Sequence, residues 1–298
     1  MKGRPELAAA AVSQLAFSEN GFHVEGISVA GVETWLRIPE WSLAIDVGRS
    51  PEILSRCQHI ALTHAHMDHA GGLAQVLAMR KLYSLARTTV HAPAEACPGL
   101  ATVVAAWEDL HGHGFNWTLN PMRPGDEAPL GGGRFLRALP AFHVVPALGY
   151  AVFERRRKLR PEFANLPPHT LRELGGRGEA LSMAVEQVLL AVSGDTRVTA
   201  LEANRELREA DVVLFEATFL DERRTVTAAH EGGHTHLAEL VDRADLLTCS
   251  HFVPYHVSQI HGADEAVATL HSRVPAALEA RMTALLPGER APVRLASP

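Results

Sequence analysis

The run Thr63-His64-Ala65-His66-Met67-Asp68-His69-Ala70-Gly71-Gly72 places three imidazoles and one carboxylate within six positions. The apolar segment His59-Ile60-Ala61-Leu62 leads directly into it. On a regular helix or strand these side chains would diverge, whereas on a tight turn at a strand end they converge on one point. Borderline and hard divalent cations take such mixtures of nitrogen and oxygen donors. Three isolated features supply what a two-metal site still needs. Ala141-Phe142-His143 sets a histidine just past an expected strand. Val192-Ser193-Gly194-Asp195-Thr196 ends another, with Asp195 on a glycine turn where backbone can approach closely. Cys249-Ser250-His251-Phe252 is expected to end a third strand in the same way.

Positioning such side chains takes short strands that feed tight loops. Gly26-Ile27-Ser28-Val29-Ala30-Gly31 and Thr34-Trp35-Leu36-Arg37-Ile38 predict a hairpin. Leu43-Ala44-Ile45-Asp46-Val47-Gly48 and residues 59–63 predict buried strands ending in loops. Leu73, Val76, Leu77, Met79, Leu82 and Tyr83 recur with helical spacing over residues 72–85. Residues 89–91 suit a strand and 94–111 another helix, with Pro98 near its start. Strands are expected at 134–139, 149–153, 188–192 and 212–215, and helices near 237–244 and 263–271. These elements fit two sheets flanked by helices. With no fixed-period repeat and no long linker, one domain over residues 1–298 is expected.

Bulk properties exclude more than they select. Hydrophobic content of 47% and charged content of 21% are ordinary for a soluble enzyme. A net charge of −6 argues against a generic nucleic-acid coat, although a local basic patch remains compatible with it. Cys57, Cys97 and Cys249 are too few for a disulfide framework or a thiolate cage. They suit small apolar residues in a reducing compartment. No run approaches the roughly 18 to 20 apolar residues of a membrane span. The short stretch at residues 7–12 follows Lys2 and Arg4, but Glu6 and its weak apolarity argue against a signal peptide. A cytoplasmic location is expected.

The spacing of His64, His66, Asp68 and His69, followed in order by His143, Asp195 and His251, resembles the metallo-β-lactamase superfamily. The resemblance implies an α/β metallo-β-lactamase fold, a four-layer αββα sandwich of two mixed β-sheets flanked by helices. It implies that His64, His66 and His143 hold one metal, that Asp68, His69 and His251 hold the other, and that Asp195 bridges both. Two divalent cations are therefore expected, zinc by default, with Mn²⁺ or Fe²⁺ able to take the same ligands.

Within that superfamily the chain resembles ribonuclease Z, especially the short form of plants and some bacteria. Val24-Glu25-Gly26-Ile27-Ser28-Val29 and Ile45-Asp46-Val47-Gly48-Arg49 are similar to its N-terminal segment. Lys81-Leu82-Tyr83, Phe142-His143 with Gly149-Tyr150, Glu216-Ala217-Thr218-Phe219-Leu220-Asp221 and Gly233-His234-Thr235-His236-Leu237 continue the match, over about residues 21–260. The resemblance implies endonucleolytic removal of the 3′ trailer of precursor tRNA by a metal-bound hydroxide, and a homodimer. In this reading Asp68 orients or deprotonates the water, and His234 beside Glu216 acts as general acid.

Between His143 and Asp195 lies Glu154-Arg155-Arg156-Arg157-Lys158-Leu159-Arg160-Pro161, the most basic stretch of an acidic protein. Ribonuclease Z enzymes carry their substrate-gripping exosite in this interval, so an insertion at about residues 155–180 is expected. Arg155, Arg156, Arg157, Lys158 and Arg160 are the candidate RNA contacts. One departure stands out. The stretch His251-Phe252-Val253-Pro254-Tyr255-His256 lacks the Ser-x-Arg-Tyr that usually follows the last metal histidine of the family. A small-molecule hydrolase of the same superfamily (phosphodiesterase, lactonase or thioesterase-like) is the alternative, acting on a smaller phosphodiester or ester.

Overall fold

A computed structural model of the protein describes residues 13–17, 21–286 and 293–294. The stretch at 7–12 lies outside the described residues. The first sheet holds, in spatial order, β1 (Ser13–Phe17), β2 (Phe22–Val29), β3 (Glu33–Ile38), β4 (Leu43–Ile45), β5 (His59–Ala61), β6 (Thr88–Pro93) and β7 (Trp117–Met122). Its strands are antiparallel from β1 to β4 and parallel from β4 to β7. The short α1 (Met67–Ala70) follows β5, and α2 (Leu73–Leu82) and α3 (Cys97–His111) pack on the outer face.

The second sheet is built from β8 (Glu127–Gly131), β9 (Arg134–Pro140), β10 (Leu148–Leu159), β11 (Ser182–Val192), β12 (Val212–Glu216) and β13 (His251–Tyr255), in spatial order β13-β12-β11-β10-β9-β8. Here β8 to β11 are antiparallel, and β11, β12 and β13 are parallel. A helical segment, α4 (Pro168–Gly176), separates β10 from β11. The helices α5 (Thr199–Ala203), α6 (Glu206–Glu209), α7 (Val226–Glu231), α8 (Leu237–Val241), α9 (Ala263–Arg273) and α10 (Ala276–Glu279) follow, and β14 (Thr283–Ala284) pairs with β15 (Val293–Arg294).

Strand alternation assigns the layers. Leu36, Leu43, Ile45, Tyr150, Val152, Leu190, Val192, Val212 and Leu214 meet in the core between the sheets. Their neighbours Trp35 and Ala44 turn outward onto α2 and α3, whereas Ala151, Ala191, Val213 and Phe215 turn outward onto α5, α6, α8 and α9. The result is the αββα sandwich of two mixed sheets that the resemblance implied. Among the described residues, no helix is long and apolar enough to cross a membrane.

Four strands depart from sequence patterning. Strands β7 and β8 carry Pro121 and Pro129 and lie at the edges of their sheets, where a missing N–H disrupts no ladder. The expectation of a strand ending at residues 249–252 is corrected, because β13 begins at His251. Strand β10 also runs on past 153. Its first seven residues are buried and its last five exposed, so it leaves the sandwich and forms, with β11, a two-stranded arm.

Candidate metal centre

The site gathers where parallel strands end. Because β4 and β5 run side by side in one sheet and β11, β12 and β13 in the other, the loops leaving their C-terminal ends meet at one edge of the sandwich. His64 and His66 sit in the extended loop after β5, while Asp68 and His69 follow on the single turn of α1. His143 comes from the loop after β9, Asp195 from the loop after β11, Glu216 from the last position of β12, and His234 from the loop between α7 and α8.

Two glycines make the close approach possible. Gly194 has φ +63°, and a Cβ there would come within 2.8 Å of the Leu148 carbonyl and 2.9 Å of Thr63 Cβ. Gly233 has φ +75°, and a Cβ would lie 2.7 Å from His143 Nδ1. Its carbonyl instead accepts a hydrogen bond from His143 Nδ1–H at 2.9 Å.

Two donor sets result. His64 Nε2 lies 3.0 Å from His66 Nδ1, which lies 3.3 Å from His143 Nε2. In the second set, His69 Nε2 stands 3.2 Å from His256 Nε2 and 3.6 Å from Asp68 Oδ2. Asp195 Oδ2 lies between them, 3.8 Å from His64 Nε2 and 3.4 Å from His69 Nε2. A tetrahedral zinc ion with Zn–N bonds of about 2.0–2.1 Å holds its nitrogens roughly 3.3 Å apart. The observed spacings match that edge to within several tenths of an ångström. Asp195 Oδ1 is buried without a hydrogen-bond partner, a costly arrangement that a cation would relieve. The residues present therefore fit divalent metals.

His251 does not join them. It opens β13, where it pairs with Val212, while Glu216 at the far end of β12 pairs with Tyr255. At about 3.3 Å per residue, five residues separate His251 from His256 by roughly 16 Å. The side chain gathered beside Asp68 and His69 is that of His256, the first residue beyond the C-terminal end of the strand, where His251 was expected. The strand-end rule that found the other loops would have found it, had β13 been placed after His251 instead of before it.

Polar residues outside the donor sets aim the imidazoles. Asp46, buried at the end of β4, accepts from Thr63 N–H (2.7 Å), Thr63 Oγ1–H (2.8 Å) and His69 Nδ1–H (2.8 Å). Thr63 Oγ1 in turn accepts from His64 Nδ1–H at 3.0 Å. Glu216 accepts from Thr196 N–H (2.9 Å), Thr218 Oγ1–H (2.7 Å) and His234 Nδ1–H (3.1 Å). Thr218 Oγ1 also accepts from His256 Nδ1–H at 3.1 Å. Fixing Nδ1–H in this way leaves Nε2 of each ring facing the centre. Sequence reading did not single out Asp46 or Thr218 for this task. Asp46 and His256 also hold left-handed backbone, φ +59° in each, a strained conformation that clusters at functional sites.

Electrostatics follow the packing. Burial holds the His64 and His143 rings below the usual histidine range, as neutral ligands must be. Burial alone would raise Asp195, but His256, His69 and His64 around it keep the carboxylate well below its usual range. His234 follows the same balance with the opposite sign, since burial opposes its charge, yet Glu216 pushes it up to about 9.

The basic run lies on the arm, where much of its charge is matched locally. Arg155 pairs with Glu127 (2.9 Å), Arg156 with Glu154, and Arg160 with Glu162 (2.9 Å). Arg157 donates to Ser182 Oγ at 2.9 Å, and Lys158 lies across from Met183.

Comparison with known proteins adds to this geometry. A beta-lactamase superfamily domain matches residues 43–257. The chloroplastic tRNase Z of Arabidopsis thaliana is 30% identical over 277 residues, covering 90% of this chain and 77% of that protein. A second tRNase Z of the same plant is 28% identical over 275 residues, covering 92% and 98%. Among solved structures, the metallo-β-lactamase fold protein YhfI from Bacillus subtilis superposes with a TM-score of 0.54 at 11% identity, over 83% of this chain and 90% of that one, a likeness of fold.

Proposed function

We propose that this chain, which belongs to the β-lactamase superfamily and within it to the ribonuclease Z family of metal-dependent hydrolases, binds two cations and cleaves the 3′ trailer from precursor tRNA. The observation that carries the reading is the placing of Asp195 Oδ2 between two complete donor sets. His64, His66 and His143 would hold one cation, Asp68, His69 and His256 the other, and Asp195 both. Zinc suits the His-rich sets, and Mn²⁺ or Fe²⁺ can use them too. When bound, the pair supplies an acidified water and neutralises charge at phosphorus.

The chain's own residues do the rest. Asp68, held by the Gly31 N–H at 2.8 Å, is placed to accept a hydrogen bond from the attacking water and so orient it. Its acidity, strengthened by His256 and His69 against the effect of burial, makes it a better orienting group than a base. His234 holds a proton through its pairing with Glu216 and can pass it from Nε2 to the departing ribose 3′ oxygen. Binding to tRNA would draw on the arm, and the exposed apolar residues Val103, Trp107 and Leu110 of α3, with Met67 of α1, support a homodimer. The three buried free thiols support the cytoplasm as the compartment.

A second reading, hydrolysis of a small phosphodiester, is favoured by the local pairing of Arg155, Arg156 and Arg160, which leaves less free charge for RNA than the sequence suggests. Turnover of bis(p-nitrophenyl) phosphate and of a precursor tRNA with a 3′ trailer separates the two. Cleavage of the tRNA at the trailer junction is the expected result. No association with it at low salt, together with turnover of the small ester, would select the second reading.

A further inference from the structure

The base of the arm holds a stack of charge and aromatic rings that the metal centre does not use. Phe135 and Phe153 are cross-strand partners on β9 and β10, with centroids 5.5 Å apart. The guanidinium of Arg155 lies 4.8 Å from both ring centroids, and that of Arg137 lies 4.3 Å from Phe153. Carboxylates from three elements close around them. Glu127 on β8 meets Arg137 (2.7 Å) and Arg155 (2.9 Å). Glu186, opposite Arg155 on β11, meets Arg137 (2.9 Å) and Arg155 (3.5 Å), and Glu206 on α6 meets Arg137 at 3.0 Å. A register shift in the β10–β11 ladder falls between Val152 and Phe153, two residues before the strand turns from buried to exposed at Arg155.

The geometry points to Arg155 and Arg137 as positioning residues. Their clamp on Phe135, Phe153, Glu127, Glu186 and Glu206 fixes the angle at which the arm leaves the sandwich, and so aims the arm's remaining cations at a polyanion. This rests on the proposed ribonuclease reading only for what the arm holds. The clamp itself stands on the contacts. Arg155 makes no phosphate contact in this arrangement, because both faces of its function are used: its plane stacks on rings and its N–H groups serve Glu127 and Glu186. Within the basic run, Arg157 and Lys158 have no carboxylate partner among the described residues, and they are the cations of that run left to meet phosphate. A planar guanidinium suits both tasks, since an ammonium has no flat face to lay on the rings and no fixed fork of donors to hold two carboxylates in this geometry.

Two variants of the full-length protein test this. Phe135→Leu removes a stacking face and leaves every charge in place, and Arg155→Lys keeps the charge but loses the plane. Both are expected to speed hydrogen exchange of the amides in β10 and β11 beyond residue 153, measured without RNA. On precursor tRNA both should raise KM about tenfold with kcat nearly unchanged, the size of a lost cation–π contact or two. The slope of log affinity against log salt should stay as in the native protein, because no phosphate contact is lost. For Phe135→Leu, turnover of bis(p-nitrophenyl) phosphate should be unaltered. Unchanged exchange in both variants overturns the clamp. So does an Arg155→Lys protein of native affinity beside an Arg155→Ser protein whose salt slope falls by about one. Should the native protein itself fail to bind precursor tRNA, the ribonuclease reading falls, while the exchange measurement still decides the clamp.

Discussion

His69 Nε2 and His256 Nε2 stand 3.2 Å apart, although 187 positions separate the residues in the chain. One leaves the turn after β5 in the first sheet and the other the end of β13 in the second, so their meeting joins the two halves of the sandwich at the metal centre. Each ring is also aimed by an oxygen behind it, Asp46 Oδ2 for His69 and Thr218 Oγ1 for His256.

This pairing distinguishes two histidines five residues apart. His256→Ala should reduce the metal content of the purified protein from two ions per chain to about one, and activity should fall with it. His251→Ala should retain both ions. Elemental analysis of the two variants decides the matter, and metal loss in His251→Ala alone would refute the placement of β13's ends.

Asp46 contributes no donor atom to either set, yet by accepting from His69 Nδ1–H at 2.8 Å it determines which nitrogen of His69 faces the site. Asp46→Asn preserves shape but weakens the acceptor, and partners of this kind typically contribute 10- to 100-fold in metal affinity. A chelator competition titration should show a loss of that order, confined to one of the two ions. Equal affinity in variant and native protein would reduce Asp46 to a packing role.

His234→Ala should keep both metals and lower kcat by about 10² to 10⁴, the usual range for a positioned proton donor. The loss should shrink for p-nitrophenolate, which departs without protonation. Glu216 pushes the ring up to about 9, and bound cations oppose that, so the rate should fall as pH rises toward 9 or somewhat below it. That alkaline limb should vanish in the variant, and its persistence would assign the proton to another group.

His91 gives a stability test away from the metals. It is 2% exposed, accepts from Asn120 Nδ2–H at 2.9 Å and donates Nε2–H to His59 Nδ1 at 3.1 Å. Burial pushes it down to about 3, whereas an unfolded histidine titrates near 6.5. Between those values the unfolded chain holds the extra proton, so stability rises with pH there. The full contribution is present above about 6.5 and is lost as pH falls toward 3, at up to about 1.4 kcal/mol per pH unit. Denaturant melts at pH 7, 6 and 5 should show a shallower pH slope in His91→Gln than in the native protein. Parallel slopes would mean that His91 is not the group responsible.

Local information was enough for much of this. The ligand run from His64 to His69 is legible because a strand end and one helical turn follow each other without interruption, so spacing alone brings the donors together. His143 and Asp195 are legible for a similar reason, each lying within three residues of a strong apolar strand. The sandwich follows from alternation, which turns Leu36 inward and Trp35 outward whatever else the chain does. Tertiary structure decided the rest. Whether His251 or His256 completes the second set depends on which end of β13 lies beside Glu216, and that is a matter of parallel register between strands far apart in sequence. The basic run likewise reads as free charge in one dimension. Only folding brings Glu127, Glu186 and two phenylalanine rings around Arg155, because these partners come from three other strands and from β10 itself.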